Sequence, residues 1–268
     1  ASGMRAQQVN VDTIANNVAN INTIGYKSQQ ASFKSLLYQN LQSTSTNNAG
    51  ENKPVAAEVG LGSRVAAITS TFTQGNLTHV ENPFSVALEG DGFFQIRTES
   101  GELQYTRDGS FEISPVANGN MLCTSDGNPV LDAYGNQIIL PSNRVATDLV
   151  VNQDGTLAFP DGTGNPAVIT DANGRPVKFG IYQFNNPAGL SKEGSNNYSV
   201  TVASGAAVAE NGNAAVKQTK THQYYTEASN VDVANEMVNL IVAQRAYEMN
   251  SKAIQASDEM MQQANALR

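Results

Sequence analysis

A chain of 268 residues and 28.4 kDa has room for one large domain or two modest ones. Only 15% of its residues are charged, against roughly 25% in an average soluble domain, and neutral polar residues, asparagine above all, take their place. The net charge of -8 leaves no basic surface for a phosphate backbone, so nucleic acid is not an expected partner. No stretch approaches eighteen consecutive apolar residues, so no membrane span is expected. No basic leader with an apolar core and a small-residue cleavage site is visible. Cys123 is the single cysteine, so no internal disulfide can form.

Residues 1–42 carry four charges, Arg5, Asp12, Lys27 and Lys34. Met4, Val11, Ile14, Val18 and Ile21 follow one another at gaps of seven, three, four and three, an apolar seam interrupted by Gln7. Gly25 is expected to close this helix, because glycine reaches left-handed φ without steric cost. Phe33, Leu36, Leu37, Tyr38 and Leu41 form a second apolar cluster, and 42–53 has the composition of a linker.

The middle of the chain is patterned for strands. Asp-Gly or Asn-Gly pairs begin at Asp91, Asp108, Asn118, Asp126, Asp154, Asp161, Asn173 and Asn211, and each is a turn signal. Short β-rich runs lie between them, including Phe93–Ile96, Ile138–Leu140 and Tyr198–Val202, while Val177, Phe179 and Ile181 alternate as in a half-buried strand. Arg107-Asp-Gly-Ser-Phe and Gln153-Asp-Gly-Thr-Leu read as one element used twice.

At the far end, Ser229 or Asn230 is the expected N-cap, with Asp232 completing a capping box. No Gly or Pro follows up to Arg268. Val233, Met237, Leu240, Gln244, Tyr247, Ser251, Ile254, Asp258 and Met261 alternate gaps of four and three. Ala234, Val238, Ile241, Val242 and Met249 extend the apolar surface beyond one stripe, and such a helix expects several neighbours.

The expected fold is therefore α+β. Residues 1–41 and 226–268 form a discontinuous helical coiled coil, 42–64 an extended linker, and 65–225 a hairpin-rich all-β domain. Both ends carry apolar seams and few charges, which suits surfaces desolvated against copies of the same chain. The ends are expected to be weakly ordered in a free monomer and to fold as copies assemble. Contacts between two different patches generate rings or helical filaments.

Catalytic chemistry finds little support. His79 and His222 are far apart in sequence and lack metal-ligand spacing. Cys123 lies in an apolar run, Gly90-Asp-Gly92 lacks the third glycine of a dinucleotide loop, and Asp171–Gly174 falls short of a calcium loop. Neither an enzyme nor a bound cofactor or metal is expected. The rival reading is a secreted β-rich binding domain using Tyr224 and Tyr225 beside His222.

The run from Ile14 to Lys27, Ile-Ala-Asn-Asn-Val-Ala-Asn-Ile-Asn-Thr-Ile-Gly-Tyr-Lys, closely resembles the N-terminal signature of the bacterial flagellar rod and hook family. Ser229-Asn-Val-Asp-Val233 with Gln244-Arg-Ala-Tyr-Glu-Met-Asn-Ser-Lys252 resembles its C-terminal element. Gln74–Leu77, Gly90–Phe94 and Tyr105–Phe111 are similar to family elements between them, so the likeness covers the whole chain in order. Length and the insert at 42–64 are most similar to distal rod members, with proximal rod and hook members as alternatives. Members of the family normally have several more residues before the equivalent of Ala1, so this chain is expected to start inside the first helix.

The resemblance implies export through the flagellar type III apparatus, helical self-assembly, and a hollow shaft that carries motor torque to the hook. Implied partners are copies of the chain, other rod and hook subunits, and envelope ring proteins around the shaft. Implied location is the basal body, outside the cytoplasm. By the same resemblance, Asn16–Asn22 (Asn17 and Asn20 included), Gly25 and Tyr26 serve the helix exit and contacts between subunits. Arg245, Tyr247 and Asn250 lie on the C-terminal helix facing the N-terminal helix or neighbours. As polar members of an apolar seam, Gln244 and Ser251 are expected to fix register.

Overall fold

The fold is taken from a computed structural model, which describes residues 2–42, 57–117, 119–161, 166–171, 173–213 and 215–266. Most of the predicted linker, 43–56, lies outside these residues, as do parts of the Asn118 and Asp161 turn pairs. The described chain forms two compact units, one built from 1–19, 29–70 and 232–268 and the other from 20–28 and 71–231.

In the first unit, helix α1 spans Ser2–Ala19 and helix α2 spans Val233–Ala266. At about 1.5 Å per residue, the 34 residues of α2 extend roughly 50 Å. An added Cβ on Gly3 would lie 3.6 Å from the Asn250 side chain, and Asn17 Nδ2 donates to Glu236 Oε1 at 3.0 Å. These two contacts set the helices antiparallel. The rest of the unit is a two-stranded antiparallel ribbon, Gln29–Ser35 with Ser63–Ser70, continued by Tyr38–Gln42 with Ala57–Gly60.

Within 29–41, expected in the helical part, 29–35 and 38–41 are therefore strands. The apolar cluster there lacks a sustained three-and-four spacing, and the long pairing with 57–70 supplies the backbone hydrogen bonds that a helix would have made internally. The same pairing draws 65–70 out of the predicted β domain into the first unit.

Helix α1 is also shorter than expected. It ends at Ala19, and Gly25 stands six residues later in a turn with φ of 69°. The left-handed conformation is as expected but does not cap the helix. Helix α2 begins later than predicted, because Asp232 is its N-cap: Asp232 Oδ1 accepts from Ala234 N at 3.0 Å and Asn235 N at 3.3 Å. Ser229 and Asn230 make other bonds.

The second unit is the β body. Its largest sheet has six antiparallel strands in the order Ser191–Gly194, Asn197–Ser199, Leu103–Thr106, Phe93–Arg97, Ile181–Gln183, Val208–Ala209. Successive side chains of a strand point to opposite faces. Phe94 accordingly enters a core with Leu88, Phe111, Leu122, Leu157 and Phe179, while Phe93 joins a second cluster with Tyr105, Phe184, Leu190 and Tyr198.

The repeated element is realised as a repeated turn. Asp108 Oδ1 accepts from Ser110 N at 2.9 Å and Ser110 Oγ at 2.6 Å; Asp154 accepts from Thr156 N at 3.1 Å and Thr156 Oγ1 at 2.7 Å. Gly180 lies against the Leu131 and Asp132 carbonyls, so Phe179, Gly180 and Ile181 are buried consecutively. The expected half-buried alternation is lost there.

Candidate functional site

The Asn-rich run after Ile14 holds the end of α1 to its surroundings in the first unit. Asn17 is 1% exposed, and its amide behaves as an extra strand residue. Nδ2 donates to Gln29 O at 2.8 Å while Oδ1 accepts from Gln29 N at 2.8 Å, and Nδ2 also reaches Glu236. One side chain thus satisfies both backbone groups of the first ribbon residue and joins it to the first turn of α2. Asn20 is half-buried and accepts from Thr23 Oγ1 at 3.1 Å.

A buried ion cluster lies on the β body where the chain leaves that turn. Lys27 and Glu227 side chains have no exposed area, and their Nζ–Oε1 distance is 2.6 Å. Lys27 Nζ also donates to Thr73 O at 2.8 Å. Glu227 Oε1 accepts from Gly75 N at 2.9 Å, and Oε2 accepts from Arg107 Nη1 at 3.3 Å. Arg107 donates its other amino group to Gly90 O and lies over the Phe93 ring at 5.1 Å. Burial holds the Lys27 ammonium below its ordinary pKa, opposed by the attraction of Glu227. Two cations against one carboxylate cost desolvation that a hydrophobic cluster would not.

Gly25 and Tyr26 pack on the same body. Gly25 N donates to Glu227 O at 2.8 Å, and a Cβ at Gly25 would come within 2.8 Å of Asp108 N and 2.9 Å of the Arg107 carbonyl carbon. Tyr26 is buried, and Asn196 Nδ2 donates to Ile24 O at 2.7 Å beside it. Gly25 and Tyr26 therefore spend their surface inside their own subunit, leaving little for a neighbour.

The predicted helical seam is displaced by about one residue. The α2 side chains that close on α1 are Glu236, Leu240, Ala243 and Asn250, and Ala243 alone of the helix is buried. Tyr247 shares a groove of about 330 Å³ with Gln8, Val11, Gln244 and Glu248. Ser251 is half-buried. Val233, Met237, Arg245, Ile254 and Met261 face outward, Gln244 is exposed although it lines that groove, and Arg245 pairs with Glu248 at 3.1 Å. On α1, Ile14 is buried, whereas Met4, Val11 and Val18 are half-buried; Ile21, beyond the helix end, is half-buried too.

Helix α1 meets two different neighbours. Val11 and Gln8 look toward α2, while Ser2, Arg5, Ala6 and Val9 line a groove of about 470 Å³ with Leu36, Arg64 and Val65 of the ribbon. A two-sided packing of this kind needs a broader apolar face than a single seam provides.

Several residues of this arrangement escaped the sequence reading. The sequence pattern assigns Glu227, Arg107 and Asn230 to no site, and it marks Lys27 only as a charge and as the end of the motif. Their signal in the sequence is weak: Lys27, Arg107 and Glu227 are single charges far apart along the chain, and Asn230 reads only as an N-cap candidate. The two histidines, distant in sequence, converge on one tyrosine. His79 meets Tyr225 edge-on at 5.3 Å and His222 meets it at 6.2 Å, with His222 Nε2 2.7 Å from Glu89 Oε2. Among the described residues no group of three or more His, Cys, Asp or Glu side chains could hold a metal ion, and no helix is long and apolar enough to cross a membrane.

Three family models match along the chain. Residues 1–27 match the flagella basal body rod protein model, 87–159 the D1 domain of the flagellar hook proteins FlgE/F/G, and 222–267 the C-terminal domain of the FlgEFG rod proteins. The flagellar basal-body rod protein FlgG of Borreliella burgdorferi is 41% identical over 100% of this chain and 96% of its own length. The chain belongs to the flagellar basal-body rod protein family. The rod protein FlgG of Caulobacter vibrioides is 37% identical over 100% of this chain and 97% of its own, and that of Bacillus subtilis 34% over 98% and 94%. Each of the three matched stretches in this rod-family chain supplies one member of the buried cluster: Lys27, Arg107 and Glu227.

Proposed function

We propose that this chain is a structural subunit of the flagellar basal-body rod, of the distal type, polymerising helically through α1 and α2 into a rigid hollow shaft that passes motor torque to the hook. The observation that carries this reading is the outer surface of α2. Met237, Val238, Ile241, Val242, Met249, Met260 and Met261 are each more than half exposed, on several sides of one helix. Monomers seldom leave contiguous apolar patches of this kind uncovered. Coverage by two or more neighbours, with α1 and α2 joining a coiled-coil layer around the channel, accounts for apolar residues on several faces.

The ribbon adds Leu37, Tyr38 and Leu61, exposed at 83%, 61% and 54%, as further surface for sister subunits. Other rod and hook subunits adjoin the ends of the shaft, and envelope ring proteins surround it. The site of action is the basal body, in the periplasm where an outer membrane is present. From Lys252 onward α2 is exposed throughout its described length, and this stretch becomes ordered as copies assemble.

The test uses Ile241→Asp, at a position 58% exposed. A substitution there changes monomer stability by no more than about 0.5 kcal/mol, so circular dichroism stays that of the wild type. Concentrated wild-type protein forms tubes in electron micrographs and the variant does not. Tubes of normal length from Ile241→Asp refute the interface. Ile14→Asp is a poor probe, because Ile14 is 6% exposed and its loss disrupts the subunit itself.

A further inference from the structure

The boundary between the two units falls at 19/20, 28/29, 70/71 and 231/232, so the chain leaves the β body at four points. Three of them are gathered by one side chain. Asn230 Oδ1 accepts from Ser28 N at 2.7 Å. Its Nδ2 lies 2.8 Å from Thr71 O, 3.2 Å from Thr73 O and 2.9 Å from Thr73 Oγ1. Thr71 N donates to Ser28 O at 2.8 Å, so the crossings at 28 and 71 are also bonded to each other.

Directly beneath, the ion cluster ties the same three segments to the sheet. Lys27, one residue before Ser28, reaches Thr73 O and Glu227; Glu227, three residues before Asn230, reaches Gly75 N and Arg107. Arg107 follows the strand Leu103–Thr106 of the six-stranded sheet and is anchored to Gly90 O. Apart from the Thr71–Ser28 backbone bond, the connections run through buried charges or the Asn230 amide, and neither tolerates a slipped register without leaving a polar group unpaired. A buried cluster that costs desolvation and is placed at the chain exits serves position better than stability.

We infer that Asn230 and the Lys27–Glu227–Arg107 cluster form a clamp that holds three chain exits at fixed spacing on the β body, so that force arriving along any one of them is shared by all three. This inference deepens the rod reading and rests on it; the residues are positioning residues for torque transmission.

The test has two arms. In full-length monomer, amide hydrogen exchange is measured residue by residue for wild type, Asn230→Ala and Asn230→Asp. Asn230→Ala removes the direct partner of Ser28 N but not that of Thr71 N. A clamp releases both, so exchange at Ser28 and Thr71 rises at least tenfold. Acceleration confined to Ser28 overturns the inference. Asn230→Asp keeps the acceptor for Ser28 and loses the donors to Thr71 and Thr73, and its Thr71 exchange also rises at least tenfold. Should either variant fail to fold, Lys27→Met, which leaves the Arg107–Glu227 pair neutral, frees the 71–75 segment and raises Thr71 exchange at least fivefold; unchanged exchange overturns the inference.

In the second arm the same variants replace the rod protein of a motile bacterium. Asn230→Ala cells swim as wild type in dilute medium and lose more than half of wild-type speed in viscous medium, where torque is high. Equal speeds under load overturn the clamp while leaving the rod reading intact. Wild-type protein that fails to restore swimming overturns both.

Discussion

Replacing Gly25 by Ala tests how tightly the signature turn is fitted to the β body. Gly25 has φ of 69°, and its Cβ would stand 2.8 Å from Asp108 N and 2.9 Å from the Arg107 carbonyl carbon, both backbone atoms of a buried segment. The left-handed conformation costs an L-residue about 1–2 kcal/mol. Forcing a methyl group against fixed backbone adds about 1–3 kcal/mol. The total, about 2–5 kcal/mol, lowers the melting temperature by roughly 4–20 °C at about 2–4 °C per kcal/mol for a body of this size.

Gly101→Ala is the control. Gly101 has φ of 86° and nothing within 4 Å of an added Cβ, so it pays the conformational cost alone, about 1–2 kcal/mol. The reduction of unfolded-chain entropy by alanine is common to both substitutions and cancels in their difference. Calorimetry of the two variants side by side isolates the clash. Equal losses at Gly25 and Gly101 refute the claim that the turn is pressed onto the Arg107–Asp108 backbone.

Glu227→Gln leaves Lys27 and Arg107 buried without an anion and lowers stability by about 3–5 kcal/mol in denaturant titration; a loss below 1 kcal/mol means that the cluster is not desolvated as described. Lys27 has its pKa lowered by burial, so between that depressed value and 10.5 the unfolded chain binds more protons than the folded one, and stability from this group rises with pH. Compared with Lys27→Met, the wild type therefore gains stability as pH approaches 10.5 from below, and parallel stability curves of the two proteins rule the effect out. Ala243→Leu overfills the α1–α2 contact, where Ala243 is 2% exposed, and costs about 1–3 kcal/mol. Guanidinium melts of the first unit should show that loss, and a neutral result would move the helix contact elsewhere.

The division of labour within the signature run shows how far a sequence can be read. Ile14 and Val18 announced a helix through spacing, and Gly25 announced a left-handed turn through the missing Cβ. Both properties are local, set by the residue and its near neighbours. That Gly25 lies six residues beyond the helix end depends on Asn17, whose amide completes Gln29 instead of leaving the helix to continue. The partner of an amide twelve residues away carries no periodic signal.

Helix α2 was legible for the same reason and misread for the opposite one. A Gly- and Pro-free run with apolar residues at three and four predicts the helix and its length. Which stripe faces α1 is a matter of a single residue's rotation, and Ala243 won over Gln244 because a small side chain allows close approach. The large apolar residues of neighbouring stripes remain outside.

Composition and short-range pattern thus determined, unaided, that this protein has two helical ends, a turn-rich β middle and the family signature, since helix and turn preferences arise within a few residues. The three-dimensional arrangement alone decided that 29–35 pairs with 63–70, that Lys27 meets Glu227 and Arg107, and that Asn230 gathers three exits. Those contacts join residues up to 202 positions apart, and a buried charge chooses its partner by proximity after folding, with no trace in the residues beside it.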